Sequence, residues 1–339
     1  MKEEVQCSII VPAFNAELTI TRCIESVLAQ SVSSWEMIVV NDGSQDGTED
    51  LVKKFSVQDA RIKLVNQNNK GRSAARNHGI SIASGKWILF LDADDYLIEN
   101  ALSVLLNAGN GVDIVWGAYE TSEAVYGSRG KECVLQVKDV LLAKIHPRLF
   151  SLKKNTCAVN EGVITSTVWG GVYLRKKILQ YKIFFYEDLV FGEDFIFNCL
   201  ALFYLKKIKY IPSIVYHYDI DNSQTCRVYH ERDSLALLTF AHRLRVFSEE
   251  YFGFFSDDDI NSLIAQEVEN LLNRISHSSE CLTVQSFQGL WEVVYNHSIL
   301  NAIWHTSEIT TTSKLSWIVQ KILIKFRLLL LLLLFKRYL

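Results

Sequence analysis

The chain has 339 residues, of which 49% are hydrophobic and 22% charged, with only three prolines. That is the make-up of a folded protein of one large domain plus an appendage, or of two domains, and it excludes a proline-rich linker. A net charge of −3 argues against a nucleic-acid binder.

Strand and helix signals alternate through the first hundred residues. An apolar run over 7–12 ends at Pro12 and predicts a strand. Leu18, Cys23, Ile24, Val27 and Leu28 recur at helical spacing and predict a helix over 17–30. A second strand is expected over 35–41, a short helix over 46–56, a third strand over 62–66 and a helix over 71–84. Residues 86–91 read as a fourth strand and 97–108 as a helix. This alternation at short spacing implies parallel βαβ units. Further on, a strand is expected over 112–119, a polar excursion over 120–135 and a strand over 168–175. A helix over 194–205 and two short strands over 207–218 follow, then helices over 231–250, 258–276 and 284–304. Seven cysteines occur with no CxxC pair, which fits a reducing compartment and buried apolar thiols. The opening segment Met1–Gln6 has no apolar signal core, which argues against secretion.

Two acidic motifs close strand-like runs. Met37-Ile38-Val39-Val40 leads into Asn41-Asp42-Gly43-Ser44, and Trp87-Ile88-Leu89-Phe90-Leu91 leads into Asp92-Ala93-Asp94-Asp95. A buried parallel strand delivers the residues at its C-terminal end to a crevice, which is where open α/β sheets bind ligands. Clustered carboxylates there suit a hard divalent cation, and such a cation suits a nucleotide or sugar phosphate.

The ordered set Val11-Pro12-Ala13-Phe14-Asn15, Asn41-Asp42-Gly43-Ser44-Gln45-Asp46-Gly47-Thr48, Ala75-Arg76-Asn77-His78-Gly79 and Phe90-Leu91-Asp92-Ala93-Asp94-Asp95, with a later Gly192-Glu193-Asp194, resembles the family 2 glycosyltransferases over roughly residues 7–225. The resemblance implies an α/β GT-A fold, with a Rossmann-like, mostly parallel sheet flanked by helices. It also implies inverting transfer of a sugar from a nucleotide sugar with the help of Mn²⁺ or Mg²⁺. Domain boundaries are expected at 1–228 for the catalytic domain, 229–313 for a helical extension and 314–339 for a basic, leucine-rich tail.

By that resemblance, Pro12, Ala13, Phe14 and Asn15 form the loop under the base. Asp42 accepts a hydrogen bond from the ring N–H of uracil. An ionised carboxylate only accepts, so it favours uracil over cytosine and points to a UDP-sugar; Asn-Asp-Gly-Ser is also ordinary turn chemistry. Asp92-Ala93-Asp94 stands as the DxD motif, and alternation in an extended segment puts both carboxylates on one side. Asp94 ligates the metal, and Asp92 holds the ribose or a metal-bound water. Asp95 is expected to cap the following helix. Arg76 reaches the nucleotide or its phosphates, whereas Lys70 and Arg72 read as solvated charges and Asn77 and His78 as structural. Asp194 is the general base, with Glu193 beside it as acceptor binder; first-turn acids also complement a helix dipole. His217 is a metal ligand or a packed rim residue, and Trp169 an acceptor floor or a core tryptophan.

Residues 314–339 carry six basic groups and no acidic one, leaving the rest of the chain at −9. The leucine-rich stretch 328–335 falls short of the roughly 20 apolar residues that span a bilayer. Extending it back to 315 would bury Lys321, Lys325 and Arg327 at about 2.5–3.5 kcal/mol each. Leu315, Ile318, Val319, Ile322 and Phe326 share one helical face and Lys314, Lys321 and Lys325 another, the pattern of an interfacial helix drawn to anionic lipid. A helix packed on its own protein has the same pattern. The combined reading is a cytoplasmic transferase, peripheral on the inner face of the cell membrane, that extends a glycan or lipid-linked glycan in surface polysaccharide synthesis. Two rivals are a nucleotidyl transferase, which needs a basic phosphate loop that Pro12–Asn15 lacks, and a degenerate nucleotide-sugar-binding module.

Overall fold

The computed structural model describes residues 4–128, 131–135, 167–220, 232–251 and 255–261, with a few isolated positions besides. The chain divides into two compact units, 1–230 with 242–244, and 231–241 with 245–339.

Unit 1 is built on one sheet. Its strands are β1 (Cys7–Ala13), β2 (Trp35–Asn41), β3 (Ile62–Asn66), β4 (Trp87–Phe90), β5 (Tyr96–Leu97), β6 (Ile114–Glu120), β7 (Val125–Tyr126), β8 (Cys133–Leu135), β9 (Gly171–Leu174) and β10 (Ile208–His217). They lie in the order β3-β2-β1-β4-β9-β6-β10-β5, with β7 on β6 and β8 on β10. The wing β3-β2-β1-β4 is wholly parallel. β9 then enters antiparallel between β4 and β6, and β10 returns parallel to β6. Every residue of β2 and all but Pro12 of β1 is buried, as expected of parallel strands covered on both faces.

Helices α1 (Ile20–Leu28), α2 (Thr48–Gln58) and α3 (Arg72–Ile82) make the crossovers of the parallel wing. α1 buries Ile20, Cys23, Ile24 and Val27, one stripe of a 3.6-residue period. α3 lies close on β1: a Cβ added at Gly79 would stand 2.4 Å from Cγ2 of Ile10. α4 (Ala101–Ala108), α5 (Arg175–Gln180) and α6 (Glu193–Tyr204) follow in unit 1 among the described residues. In unit 2, α7 (Arg232–Glu250) runs into a turn where Phe247 stacks on Tyr251 at 4.6 Å.

Four expectations change. The helix expected over 97–108 begins only at Ala101, because Tyr96 and Leu97 pair with β10 as a short strand and Asn100 turns left-handed at φ 63. The two strands expected over 207–218 are one strand, bent by register shifts between Tyr210 and Ile214 and between Ile214 and Tyr216, around Pro212. The polar excursion over 120–135 contributes β7 and β8 to the sheet. Cys7, Cys23 and Cys199 are buried thiols outside any disulfide, but Cys133 is disulfide-bonded. The helix expected over 284–304 and the tail 314–339 lie outside the described residues.

A buried charge on β2 ties the wing together. Glu36 accepts hydrogen bonds from Ser8 Oγ at 2.6 Å, Lys63 Nζ at 2.5 Å and Ser84 N at 2.6 Å. Burial alone would raise its pKa, but these donors outweigh burial and bring it from 4.5 down to about 2. The unfolded group titrates higher than the folded one, so its contribution is whole above about pH 4.5 and drains away as pH falls towards 2. Glu36→Gln is therefore expected to lower the denaturant midpoint at pH 7 and to flatten its fall between pH 5 and 3, as read in urea melts at stepped pH.

Candidate functional site

The site lies where the strand ends of the parallel wing stop at different heights. β1 pairs with β2 as far as Ala13 and Asn41, but with β4 only as far as Ile10 and Phe90. Beyond that point β1 has no ladder partner on its β4 side, which opens a crevice at the switch point of the strand order.

The loops after β1 and β2 are stitched across one wall. Asp42 N–H donates to the Ala13 carbonyl at 2.8 Å, Asn15 N–H to Ser44 Oγ at 3.0 Å, and Gln45 N–H to Asn15 Oδ1 at 2.8 Å. Phe14 projects from this loop with 43% of its surface exposed. Gly43 sits at φ 74, where a Cβ would meet the Asn69 nitrogen at 2.9 Å. The Asp42 carboxylate accepts from Gln67 Nε2 at 2.8 Å, Lys70 N at 2.9 Å and Gly71 N at 2.8 Å. It therefore sets the loop that opens α3, and a carboxylate with about four acceptor positions has one left over.

Past β4, oxygens of Asp92, Asp94 and Asp95 lie within 4.8 Å of one another. Burial, then the charge of Asp92, raises Asp94 to about 6, and burial with the charges of Asp92 and Asp94 raises Asp95 to about 8. Asp94 and Asp95 thus resist ionisation, and with Asp92 they form a set of hard oxygen donors that suits a divalent cation. Asp95 is not the helix cap expected of it. Its oxygens accept from Tyr216 Oη at 2.6 Å and from Asp219 N at 2.8 Å. Tyr216 Oη in turn accepts from Asp92 N–H at 3.3 Å, and Arg22 Nη2 donates to the Asp94 carbonyl at 2.7 Å and to Asp219 Oδ2 at 2.5 Å. His217 is not part of this cluster: its ring stacks on Tyr96 at 4.2 Å, and Nδ1 lies 3.2 Å from Glu120 Oε1. Trp169 is buried, stacked on Tyr216 at 4.5 Å and edge-on to Tyr119 at 5.0 Å.

The third element is α6. Gly192 turns left-handed at φ 73, and Glu193 and Asp194 form the first helical turn. Arg76, with 1% of its side chain exposed, reaches both sides: Nη1 donates to Asp194 Oδ1 at 2.7 Å and Nη2 to Asp92 Oδ1 at 2.8 Å. Glu193 Oε1 lies 3.5 Å from Arg76 Nη1 and 3.3 Å from Arg72 Nε, so Arg72 is an ion-pair partner rather than a free surface charge. Burial lifts the pKa of Asp194 to about 7 against the opposing pull of Arg76.

With this geometry in place, the comparisons are specific. The family described as Glycosyl transferase family 2 matches residues 8–168. The chain is 30% identical over 247 residues to a Campylobacter jejuni protein named GalNAc(5)-diNAcBac-PP-undecaprenol β-1,3-glucosyltransferase, covering 66% of this chain and 80% of that one. The chain belongs to the family 2 glycosyltransferases. A Bacillus subtilis relative named putative glycosyltransferase EpsH is 30% identical over 228 residues, covering 66% of this chain and 64% of the relative. Across the first three relatives the match spans 60% to 66% of their length. Staphylococcus aureus TarS shares the fold at TM-score 0.60 and 17% identity, over 86% of this chain and 48% of that one. The fold of the chain is thus GT-A.

Sequence reasoning missed three members of its site: Arg22, Tyr216 and Asp219. Tyr216 and Asp219 are more than 120 positions from Asp95. A hint existed in Arg22, a charge placed within the apolar spacing of α1, and in Tyr216 and Asp219, which flank His217 and Tyr218.

Asp42→Asn must turn an amide N–H₂ towards donors now shared between two oxygens. It is expected to cost about 1–3 kcal/mol of stability and to speed amide exchange at Lys70 and Gly71, as read by denaturant melts and hydrogen exchange.

Proposed function

We propose that the chain transfers a sugar, with inversion, from a UDP-sugar to a hydroxyl of a glycan or lipid-linked glycan acceptor. The observation that carries this reading is the pairing of an acidic cluster at the end of β4 with a half-buried carboxylate, Asp194, held beside it by Arg76.

Asp42 and the Pro12–Asn15 loop bind the base, the remaining acceptor position of Asp42 taking the uracil N–H. Asp92 and Asp94 hold Mn²⁺ or Mg²⁺, which when bound neutralises charge on the leaving diphosphate. Asp95 is kept from turning away by Tyr216 and Asp219. Asp194 takes the proton of the acceptor hydroxyl as that oxygen attacks the anomeric carbon opposite the leaving group, with Glu193 beside it; in-line displacement inverts the configuration.

Two features support a lipid-linked acceptor. The C. jejuni relative is named for an undecaprenol-diphosphate-linked acceptor. Residues 314–339 have the charge pattern of a helix lying on an anionic membrane surface. Among the described residues no helix is long and apolar enough to cross a membrane. An inner-face, peripheral location follows from this reading.

The full chain, incubated with a panel of nucleotide sugars and Mn²⁺, is expected to release UDP slowly from one of them. EDTA or Asp94→Ala is expected to stop that release. UDP binding with no turnover of any donor, even with lipid-linked acceptors supplied, would leave a nucleotide-sugar-binding module instead. Failure to bind any nucleotide would sink the reading.

The base must be ionised to act, so kcat/KM is expected to rise with pH through about 7, the value to which burial lifts Asp194. Asp194→Asn is expected to remove that limb and to slow transfer by roughly 10²–10⁴-fold, as measured by product formation across pH 5.5–9.

A further inference from the structure

Arg76 was expected at the nucleotide, but its surroundings leave little of it for a ligand. The side chain is 1% exposed and the guanidinium lies over the Phe185 ring at 5.2 Å. Nη2 is engaged by Asp92 and Nη1 by Asp194 and Glu193, while Nε is buried without a partner. The same face of α3 grips the segment that leads into α6. Asn77 clamps Phe185 on both backbone groups, donating from Nδ2 to its carbonyl at 2.9 Å and accepting from its N–H at 2.8 Å. Ser73 Oγ donates to the Leu189 carbonyl at 3.4 Å. α3 thus pins the chain at Phe185, at Leu189 and, through Arg76, at Asp194.

We propose that Arg76 is a positioning residue that couples the donor-side cluster to the base: one guanidinium, held by Asp92 on one fork and Asp194 on the other, makes the state of each carboxylate felt by its counterpart. The proposal rests on the function assigned above. Arginine suits the task because its planar fork presents two separate Nη groups in fixed directions, whereas a lysine is a single point charge. When Asp92 turns towards a bound cation or ribose, the positive charge of Arg76 falls more heavily on Asp194. When Asp194 loses its charge, Asp92 is held more firmly and binds a cation less well. Such coupling is reciprocal by thermodynamic necessity. A guanidinium that merely neutralised buried acids would stabilise the fold without linking the two functions.

The test is a double-mutant cycle on the full chain, with free Mn²⁺ counted by its EPR signal. Asp194→Asn is expected to weaken Mn²⁺ binding about fivefold or more, although Asp194 lies outside the acidic cluster. In an Arg76→Met background the same change is expected to shift Mn²⁺ affinity less than about twofold. Arg76→Lys, which keeps the charge where Arg76→Met fails to fold, is expected to lower kcat about tenfold or more while leaving the donor KM within about threefold. Equal effects of Asp194→Asn in both backgrounds would overturn the proposal, since long-range charge alone would then suffice. So would a large rise in donor KM at unchanged kcat in Arg76→Lys, which would make Arg76 a donor-binding residue. Wild-type protein that bound no Mn²⁺ and turned over no donor would overturn the function itself, and this proposal with it. Normal turnover without coupling would overturn the proposal alone.

Discussion

A buried guanidinium facing Asp92, Glu193 and Asp194 is the constraint on which the site depends. An isolated charge is far too costly to bury, so Arg76 requires its partners as much as they require it. The requirement brings together segments that the chain keeps well apart: Arg76 lies 16 positions from Asp92 and 118 from Asp194. Burial also decides the chemistry. Asp194, desolvated and only partly compensated by Arg76, is left with an affinity for protons near neutrality.

The sheet supplies the frame. Because β4 stops short of the end of β1, the loops after both strands face one crevice, and the acidic loop can turn into it. The antiparallel insertion of β9 then brings β6 and β10 beside the parallel wing. β10 matters more than its position late in the chain suggests. Its Tyr216 and the following Asp219 hold Asp95, while Arg22 of α1 ties Asp219 to the Asp94 backbone. The acidic loop is thus held from two elements to which it has no sequence proximity, a support of the kind that keeps a cation site in shape.

The parallel wing was legible in the residues because parallel, doubly covered strands are continuous apolar runs, and turns such as Asn41-Asp42-Gly43-Ser44 punctuate them. The irregular half was harder to read. The stretch 207–218 looked like two short strands, and only pairing with β6 shows one strand carrying its irregularity through register shifts. Asp95 looked like a cap because it precedes a helical pattern. The intervening two-residue strand Tyr96–Leu97 exists only because β10 is there to pair with it.

By itself, then, the sequence determined which elements form the parallel wing and which carboxylates reach its edge. Periodicity and turn chemistry are local properties, and a strand end fixes where its next residues go. Tertiary structure alone decided the partnerships: that Arg76 is enclosed by acids, that Asp42 already holds the loop before α3, that His217 stacks on Tyr96, and that Trp169 packs on Tyr216. Those facts depend on which distant segments the sheet order sets side by side. The electrostatic character of a carboxylate is likewise a property of its burial and neighbours, which no local pattern of residues encodes.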